Sequence, residues 1–258
     1  MDIGTMKKVL LVLTSHDTLG DTGEATGYFV GEAAHPWKVF RDAGYFVDFA
    51  SIEGGQPPQD GLDEEDPIQV EFTTDETVKA SLYNTPKIAV VDPSQYHAVF
   101  LVGGHGTMWD FTGNKNLQKL IATVYDSGGV VGAVCHGPSG LVDVELANGI
   151  GLLSGRKVAA FTNAEEEEVG KTKVVPYLLQ DKLEEQGATV KVADNWEDNV
   201  QVDDHLVTGQ NPQSAGSVAK EMTKLLTEVV LEEKAEEEKA SEELRAEKDA
   251  EKAADEVD

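Results

Sequence analysis

The 258-residue chain holds one cysteine, Cys135. That count excludes an intramolecular disulfide and any zinc or iron–sulfur centre built from several cysteines of one chain. No apolar stretch approaches the roughly 20 residues that a membrane-spanning helix needs. The run Val9-Leu10-Leu11-Val12-Leu13 is too short for a secretory h-region and is not followed by a small-residue cleavage site. These absences lead to the expectation of a soluble, cytoplasmic protein. Basic residues are scarce as well, 21 against 48 acidic, for a formal charge of −27. A surface of that sign repels phosphate backbones and anionic lipid, so neither nucleic acid nor a membrane is an expected partner. A GxGxxG fingerprint, a P-loop and an HExxH pair are also missing, and no cofactor or metal is expected.

The acidic excess is densest at the C-terminal end, where residues 228–258 carry 14 acidic and 5 basic side chains in an Ala/Glu/Lys-rich text. Composition leaves a solvated helix and a disordered tail both open there. The length accommodates one large α/β domain or two small ones, and a single domain is the starting expectation. The expected organisation is an N-terminal extension at 1–6, an α/β domain at 7–227 and an acidic tail at 228–258 that takes no part in catalysis.

Residues 8–14 are predicted as a buried parallel strand, a short continuous apolar run ending in small and polar residues. Apolar residues at helical spacing predict a helix over 28–43 that stops at Gly44, and 47–50 resumes as strand. A β-α-β opening of this kind gives a right-handed crossover and a parallel sheet. Residues 52–93 are rich in Gly, Pro, Asp and Glu and read as an excursion over the active-site edge, with one helix near 75–83. Further strands are expected at 98–102, 129–134, 158–161, 189–192 and 205–208. Helices are expected at 116–125, from near Ser139, at 176–186 and at 211–226. The alternation predicts a doubly wound, mostly parallel sheet with helices on both faces, flavodoxin-like, whose ligands bind beyond the carboxyl ends of the strands.

In Val130-Val131-Gly132-Ala133-Val134-Cys135-His136-Gly137-Pro138 an apolar strand delivers a thiol into a sharp turn before a helix start. The arrangement resembles a nucleophile elbow, which lifts the side chain above the sheet edge and aims backbone N–H groups at a thiolate and an oxyanion. A helix N-terminus can lower a thiol from its usual ~8.5 far enough to supply thiolate at neutral pH. The competing reading is a buried structural cysteine. Each neighbour has its own plain alternative. His136 can cap the turn, His105 can be a pocket wall or a loop histidine, and Trp109, Phe111 and Trp196 can be core or walls of a small pocket. Glu32 is either solvated or, if buried beside the thiol, raised in pKa and suited to acid/base work. Glu166 lies in the run Glu165-Glu166-Glu167-Glu168, which by itself reads as a solvated face.

Ala133-Val134-Cys135-His136-Gly137-Pro138 resembles the nucleophile motif of the ThiJ/PfpI superfamily, which has the class I glutamine amidotransferase-like fold. Glu32-Ala33-Ala34-His35-Pro36, Gly104-His105-Gly106-Thr107, Phe161-Thr162 with Glu166, and Leu206-Val207-Thr208-Gly209-Gln210-Asn211-Pro212 are similar to segments of one branch, the heat-shock-protein-31-like glutathione-independent glyoxalases (glyoxalase III). The resemblance spans residues 7–226. It implies that Cys135 is the nucleophile, His136 its imidazole partner, Glu166 the acid orienting that imidazole with Glu165 as the alternative, and Glu32 a proton-shuttling carboxylate. Backbone N–H groups of Gly104 and His136 would line an oxyanion site, with His105 beside the substrate.

The implied reaction is that of a lyase of D-lactate dehydratase type. Methylglyoxal or glyoxal becomes lactate or glycolate through a cysteine hemithioacetal, with neither cofactor nor metal, and the resemblance suggests a homodimer. The rival readings are a protein deglycase acting on aldehyde-derived adducts, a cysteine peptidase or amidotransferase, and a holdase chaperone or redox-stress module. Against glutaminase chemistry, no later His-x-Glu pair follows the thiol.

Overall fold

The computed structural model describes residues 7–227, and the N-terminal extension 1–6 and acidic tail 228–258 expected from the sequence lie outside the described residues. In the first strand, β1 (Lys8–Leu13), every side chain from Val9 onward is fully buried. A central parallel strand is covered on both faces, which is why it has no polar alternation. Its residues feed two cores in turn. Leu10 and Val12 face the one that contains Leu117, Ile121 and Val124, while Val9, Leu11 and Leu13 face the one that contains Trp37, Phe40 and Met222.

After β1 the chain forms β2 (Tyr28–Phe29), α1 (Val30–Asp42), β3 (Phe46–Ser51), β4 (Gln59–Asp60), α2 (Pro67–Thr74), α3 (Glu76–Tyr83) and β5 (Ala98–Leu101). It continues through α4 (Thr107–Asp110), α5 (Lys115–Asp126), β6 (Val130–Val134), β7 (Lys157–Val158), α6 (Asn163–Glu168), α7 (Leu179–Glu185), β8 (Thr189–Val190), β9 (Val200–Asp203) and β10 (Leu206–Gly209). A final helix, α8, is described over residues 215–227. The main sheet has the order β3-β1-β5-β6-β10-β9, with β9 antiparallel to its neighbour and the other pairings parallel. This is the doubly wound α/β architecture expected from the sequence. The order reverses between β1 and β5, and that switch point opens a crevice at the carboxyl ends of the strands. Among the described residues, no helix is long and apolar enough to cross a membrane.

Several elements depart from expectation for identifiable reasons. The helix expected from near Ser139 is one 3₁₀ turn, Gly137–Leu141, after which Val142 adopts φ −63° and ψ 133°. Two glycines and a proline give this stretch little helical propensity. The turn is also wedged against β5, since a Cβ on Gly137 would collide with the carbonyl of Leu101. The strands expected at 158–161 and 189–192 shorten to β7 and β8, which pair with each other in a separate small sheet. Residues beyond β7 bond elsewhere: Ala159 N–H donates to Thr208 Oγ1 at 2.9 Å and Phe161 N–H donates to the Cys135 carbonyl at 2.9 Å. The outer place in the main sheet goes to β9, which the sequence reading did not anticipate.

Tyr28 and Phe29 pair with β4 rather than opening α1, and α8 is preceded by a 3₁₀ turn at Pro212–Ser214. The excursion over 52–93 contains α2 in addition to the expected α3. Asp66 caps α2 by accepting from the Ile68 N–H, with Pro67 at the first helical position.

Candidate active site

The pairing of Leu101 with Ala133 runs β5 and β6 side by side toward the switch point. It brings Gly103 against Cys135, so that a Cβ on that glycine would lie 3.0 Å from the cysteine Cβ. Cys135 follows β6 with φ 59°, a left-handed conformation rare for a residue with a Cβ. Bonds on both sides hold it there. Its N–H donates to the Gly209 carbonyl at 3.0 Å and its own carbonyl accepts from Phe161. The expected elbow is thus present in the backbone, although a 3₁₀ turn rather than an α-helix follows it.

From the thiol a polar chain runs through two rings. Cys135 Sγ lies 3.4 Å from His136 Nδ1, and His136 Nε2 lies 2.7 Å from Glu166 Oε2. The other oxygen of Glu166 lies 2.9 Å from His105 Nε2, and the two imidazole centroids are 4.1 Å apart. Glu32, on the first turn of α1, is fully buried beside the thiol, where a Cβ on Gly103 would meet both its Oε2 and the Cys135 Cβ, and neither of its oxygens makes a well-formed hydrogen bond. The structure therefore brings together Cys135, His136, Glu166, His105 and Glu32 from four separate segments.

Adjacent glutamates at the start of α6 do different work. Thr162 caps this helix, and Glu165 completes a capping box by accepting from the Thr162 N–H. Its second oxygen accepts from Trp196 N–H at 3.0 Å, Gln210 Nε2 at 3.1 Å and Asn211 Nδ2 at 2.9 Å. Successive helical residues diverge by about 100°, so Glu166 alone reaches the imidazoles. The alternative of Glu165 as the orienting acid is thereby displaced by geometry. Glu165→Ala strands several buried donors, and we expect it to lower unfolding free energy by about 2–4 kcal/mol in urea titrations.

Burial dominates the electrostatics. It pushes the Cys135 thiol well up, and the neighbouring Glu32 carboxylate adds to the shift. The helix N-terminus that could have lowered the thiol is absent: no α-helix begins at the turn, and the sulfur is desolvated beside an acid. Burial likewise pushes the Glu32 carboxyl up to about 8, against the opposing influence of the Cys135 thiol and the Gly103 N–H. Burial would also raise Glu166, but hydrogen bonds from His105 and His136 outweigh it and bring that carboxyl down to about 2. Desolvation, helped by His136, lowers His105 to about 4. With Glu166 ionised, the Nε2–H of each ring donates to it. In a neutral His136 ring that arrangement makes Nδ1, the nitrogen facing the thiol, the acceptor.

The remaining candidates separate cleanly. Phe111 is fully buried in the core, and Trp109 stacks on His16 with centroids 5.0 Å apart. Trp196 packs on Phe161, whose ring lies 4.4 Å from that of His136, so it stands one ring removed from that imidazole. Gly104 has φ 110° and a Cβ there would strike the Gly27 carbonyl, which explains glycine at the turn. The glycine that faces both Glu32 and Cys135 is Gly103, which sequence reasoning passed over in favour of its neighbour. Its signal was the Gly103-Gly104 pair at a strand end. Among the described residues, His105, His136 and Glu166 also present one ligand atom each within 4.8 Å of one another.

Residues 25–225 match the DJ-1/PfpI family. A glutathione-independent glyoxalase of Saccharomyces cerevisiae is 37% identical over 233 residues, covering 83% of this chain and 95% of the relative. The crystal structure of glyoxalase III from Candida albicans superposes with a TM-score of 0.79 at 36% identity, over 86% of this chain and 98% of the other. The Rapid Encystment Protein of Francisella tularensis gives a TM-score of 0.83 at 39% identity, over 86% of this chain and 99% of the other.

Proposed function

The chain belongs to the DJ-1/PfpI family, and from that premise we propose that it is a glutathione-independent glyoxalase converting methylglyoxal to lactate and glyoxal to glycolate. One observation carries the reading: a wholly buried carboxyl, Glu32, lies beside the thiol, with Gly103 packed against both its Oε2 and the Cys135 Cβ. Peptide hydrolysis needs only a thiol and an imidazole. Moving hydrogen between neighbouring carbons needs a further acid/base group held in a dry site.

Cys135 Sγ adds to the aldehyde carbon while its proton passes to His136 Nδ1, and the imidazolium returns that proton to the alkoxide to give a hemithioacetal. Glu32 in its carboxylate form removes the proton from that carbon while the hydroxyl proton passes to the adjacent carbonyl oxygen, giving an enediolate. The same carboxyl returns the proton to the second carbon, producing a 2-hydroxy thioester on Cys135. Water cleaves the thioester, releasing the hydroxy acid and restoring the thiol. Oxidation of one carbon balances reduction of its neighbour, so no external electron carrier enters. Ionised Glu166 favours the imidazolium formed at His136 in the first and last steps.

The burial of the site supports a small free dicarbonyl over a peptide or a glycated protein. Cys135 is 4% exposed, and Glu32 and His136 are fully buried. A free catalytic thiol suits a reducing compartment, and we assign the protein to the cytoplasm. Purified protein supplied with methylglyoxal and no glutathione should yield lactate, followed by NMR or by a lactate-specific assay. A folded protein that makes none, or that releases fluorogenic peptides instead, would overturn the proposal. Glu166→Gln should lower kcat by roughly 10²–10⁴-fold with a smaller change in KM. An unchanged kcat would show that the imidazole needs no such anchor.

A further inference from the structure

We infer that the substrates extend to sugar-derived 2-oxoaldehydes, and that the hydroxylated chain of a hexose-derived member is held in a cavity between α1 and α8. The inference rests on the glyoxalase reading and names a wider substrate class for the same thiol. The cavity encloses about 560 Å³ and is completed by Trp196 and the loop after β4. Pockets that enclose whole ligands run to roughly 300–1,000 Å³, and three-carbon methylglyoxal leaves most of this one unfilled. Its lining stands one residue or one ring from the reactive groups at three points. Gly31 precedes Glu32, Phe29 N–H donates to the Gly103 carbonyl at 3.0 Å, and Trp196 packs on Phe161 with centroids 5.7 Å apart.

Glycine keeps the space open. Gly31 and Gly216 put no side chain into it, and a Cβ on Gly61 would strike the Phe29 ring, so that glycine lets the ring take its place in the wall. Trp196 holds a left-handed backbone at φ 67°, which a bulky residue adopts only at a cost and which concentrates at functional sites. Its N–H donates to Glu165 Oε1 and its Nε1–H to Glu168 Oε1, both at 3.0 Å. Two carboxylates thus hold the strained residue with its indole at the cavity.

The lining chemistry suits a neutral chain of hydroxylated carbons. Phe29 and Trp196 offer ring surface to its C–H groups. The side chains of Gln213 and Lys220, exposed at the rim, make no hydrogen bond or ion pair with the described residues, and Asp63 commits one carboxylate oxygen, to the Glu65 N–H at 2.9 Å. Lys220 is balanced by Asp63, and His35 is paired with Asp66 at 2.7 Å, so the lining favours neither a sugar phosphate nor a cation. A site that hydrogen-bonds substrate hydroxyls discriminates for them. The reaction is the one written above with a longer second substituent. The aldehyde carbon is oxidised, the ketone carbon is reduced, one water is consumed, and a 3-deoxyhexosone leaves as the 3-deoxyaldonate.

The test supplies the full-length protein with methylglyoxal and with 3-deoxyglucosone, following the products by NMR. Wild type should convert both. Gly216→Leu fills the cavity from a position whose Cβ meets nothing closer than 3.8 Å, and Gln213→Leu removes a polar group at the rim. Each should lower kcat/KM for 3-deoxyglucosone at least tenfold relative to that for methylglyoxal, in protein shown by circular dichroism to be folded. In Cys135→Ala, saturation-transfer NMR should show saturable binding of 1-deoxyfructose, which keeps the ketone and hydroxyls but lacks the aldehyde. Gly216→Leu in that background should abolish the binding. Conversion of methylglyoxal without conversion of 3-deoxyglucosone would overturn the inference and leave the glyoxalase assignment standing. A ratio unchanged in both variants, or no binding of 1-deoxyfructose, would overturn the cavity as the site. Cavity-dependent binding in a protein that converts neither aldehyde would instead sink the glyoxalase reading and keep the cavity's ligand class.

Discussion

Cys135→Ala is expected to reduce kcat/KM for methylglyoxal by roughly 10⁴-fold or more, to the uncatalysed background. Every covalent step of the proposed route uses the sulfur, and no second thiol exists in the chain to replace it. The backbone keeps its position, because the bonds to Gly209 and from Phe161 involve only main-chain atoms. The substitution removes one buried atom, so the melting temperature should move by a few degrees at most. A folded Cys135→Ala protein that retains more than a small fraction of turnover would place the chemistry on another group. Lactate production measured by NMR distinguishes that case from slow chemical hydration of the substrate.

Glu32→Gln is expected to lower kcat by roughly 10²–10⁴-fold, the usual worth of a positioned acid/base group. The substitution preserves size and shape but cannot exchange the carbon-bound proton. Because burial moves this carboxyl from 4.5 up to about 8, kcat/KM of the wild type should rise with pH up to a limb near that value. The limb should be absent in the variant. Stability should respond in the opposite sense. Between about pH 5 and about pH 8 the unfolded chain releases this proton while the folded protein retains it, so the folded state binds more protons and loses stability as pH rises. Glutamine has no proton to hold. The melting temperature of Glu32→Gln relative to wild type should therefore climb across that interval, by the equivalent of a few kcal/mol. A difference that stays constant with pH would mean that Glu32 titrates normally in the folded state.

Much of the active-site geometry was readable from local pattern. The apolar run of β1 and the turn after β6 are set by neighbouring residues, and both formed where expected. The end of α1 near Gly44 followed from a glycine that adopts φ 87°. The choice between Glu165 and Glu166 was not local in the same way. It depended on Thr162 acting as a cap and on donors from Trp196, Gln210 and Asn211, which only tertiary structure assembles. Likewise, Gly103 meets Glu32 and Cys135 through the convergence of three segments, and a glycine pair cannot announce which member faces the site.

The elements that escaped were short or polar. In β9 the text Val-Gln-Val-Asp is only partly buried, so no apolar run marks it. For α2, the Asp66-Pro67 start was a usable signal within an otherwise acidic stretch. Beyond the turn at Cys135 a helix was expected from near Ser139, next to a proline that suits a first helical turn, and a 3₁₀ turn stands there instead. The flanking glycines and the contact with β5 stop the helix after Leu141.

A directed-evolution campaign scored on heat resistance alone would drift away from this enzyme. At φ 59° the Cβ of Cys135 crowds its own backbone, a conformation disfavoured by about 1–2 kcal/mol for an L-residue and free to glycine. A library screened without substrate would enrich glycine at that position and return a hardier, inert scaffold. Thermostabilised descendants of this protein should therefore be selected under methylglyoxal challenge, with the elbow codon held fixed.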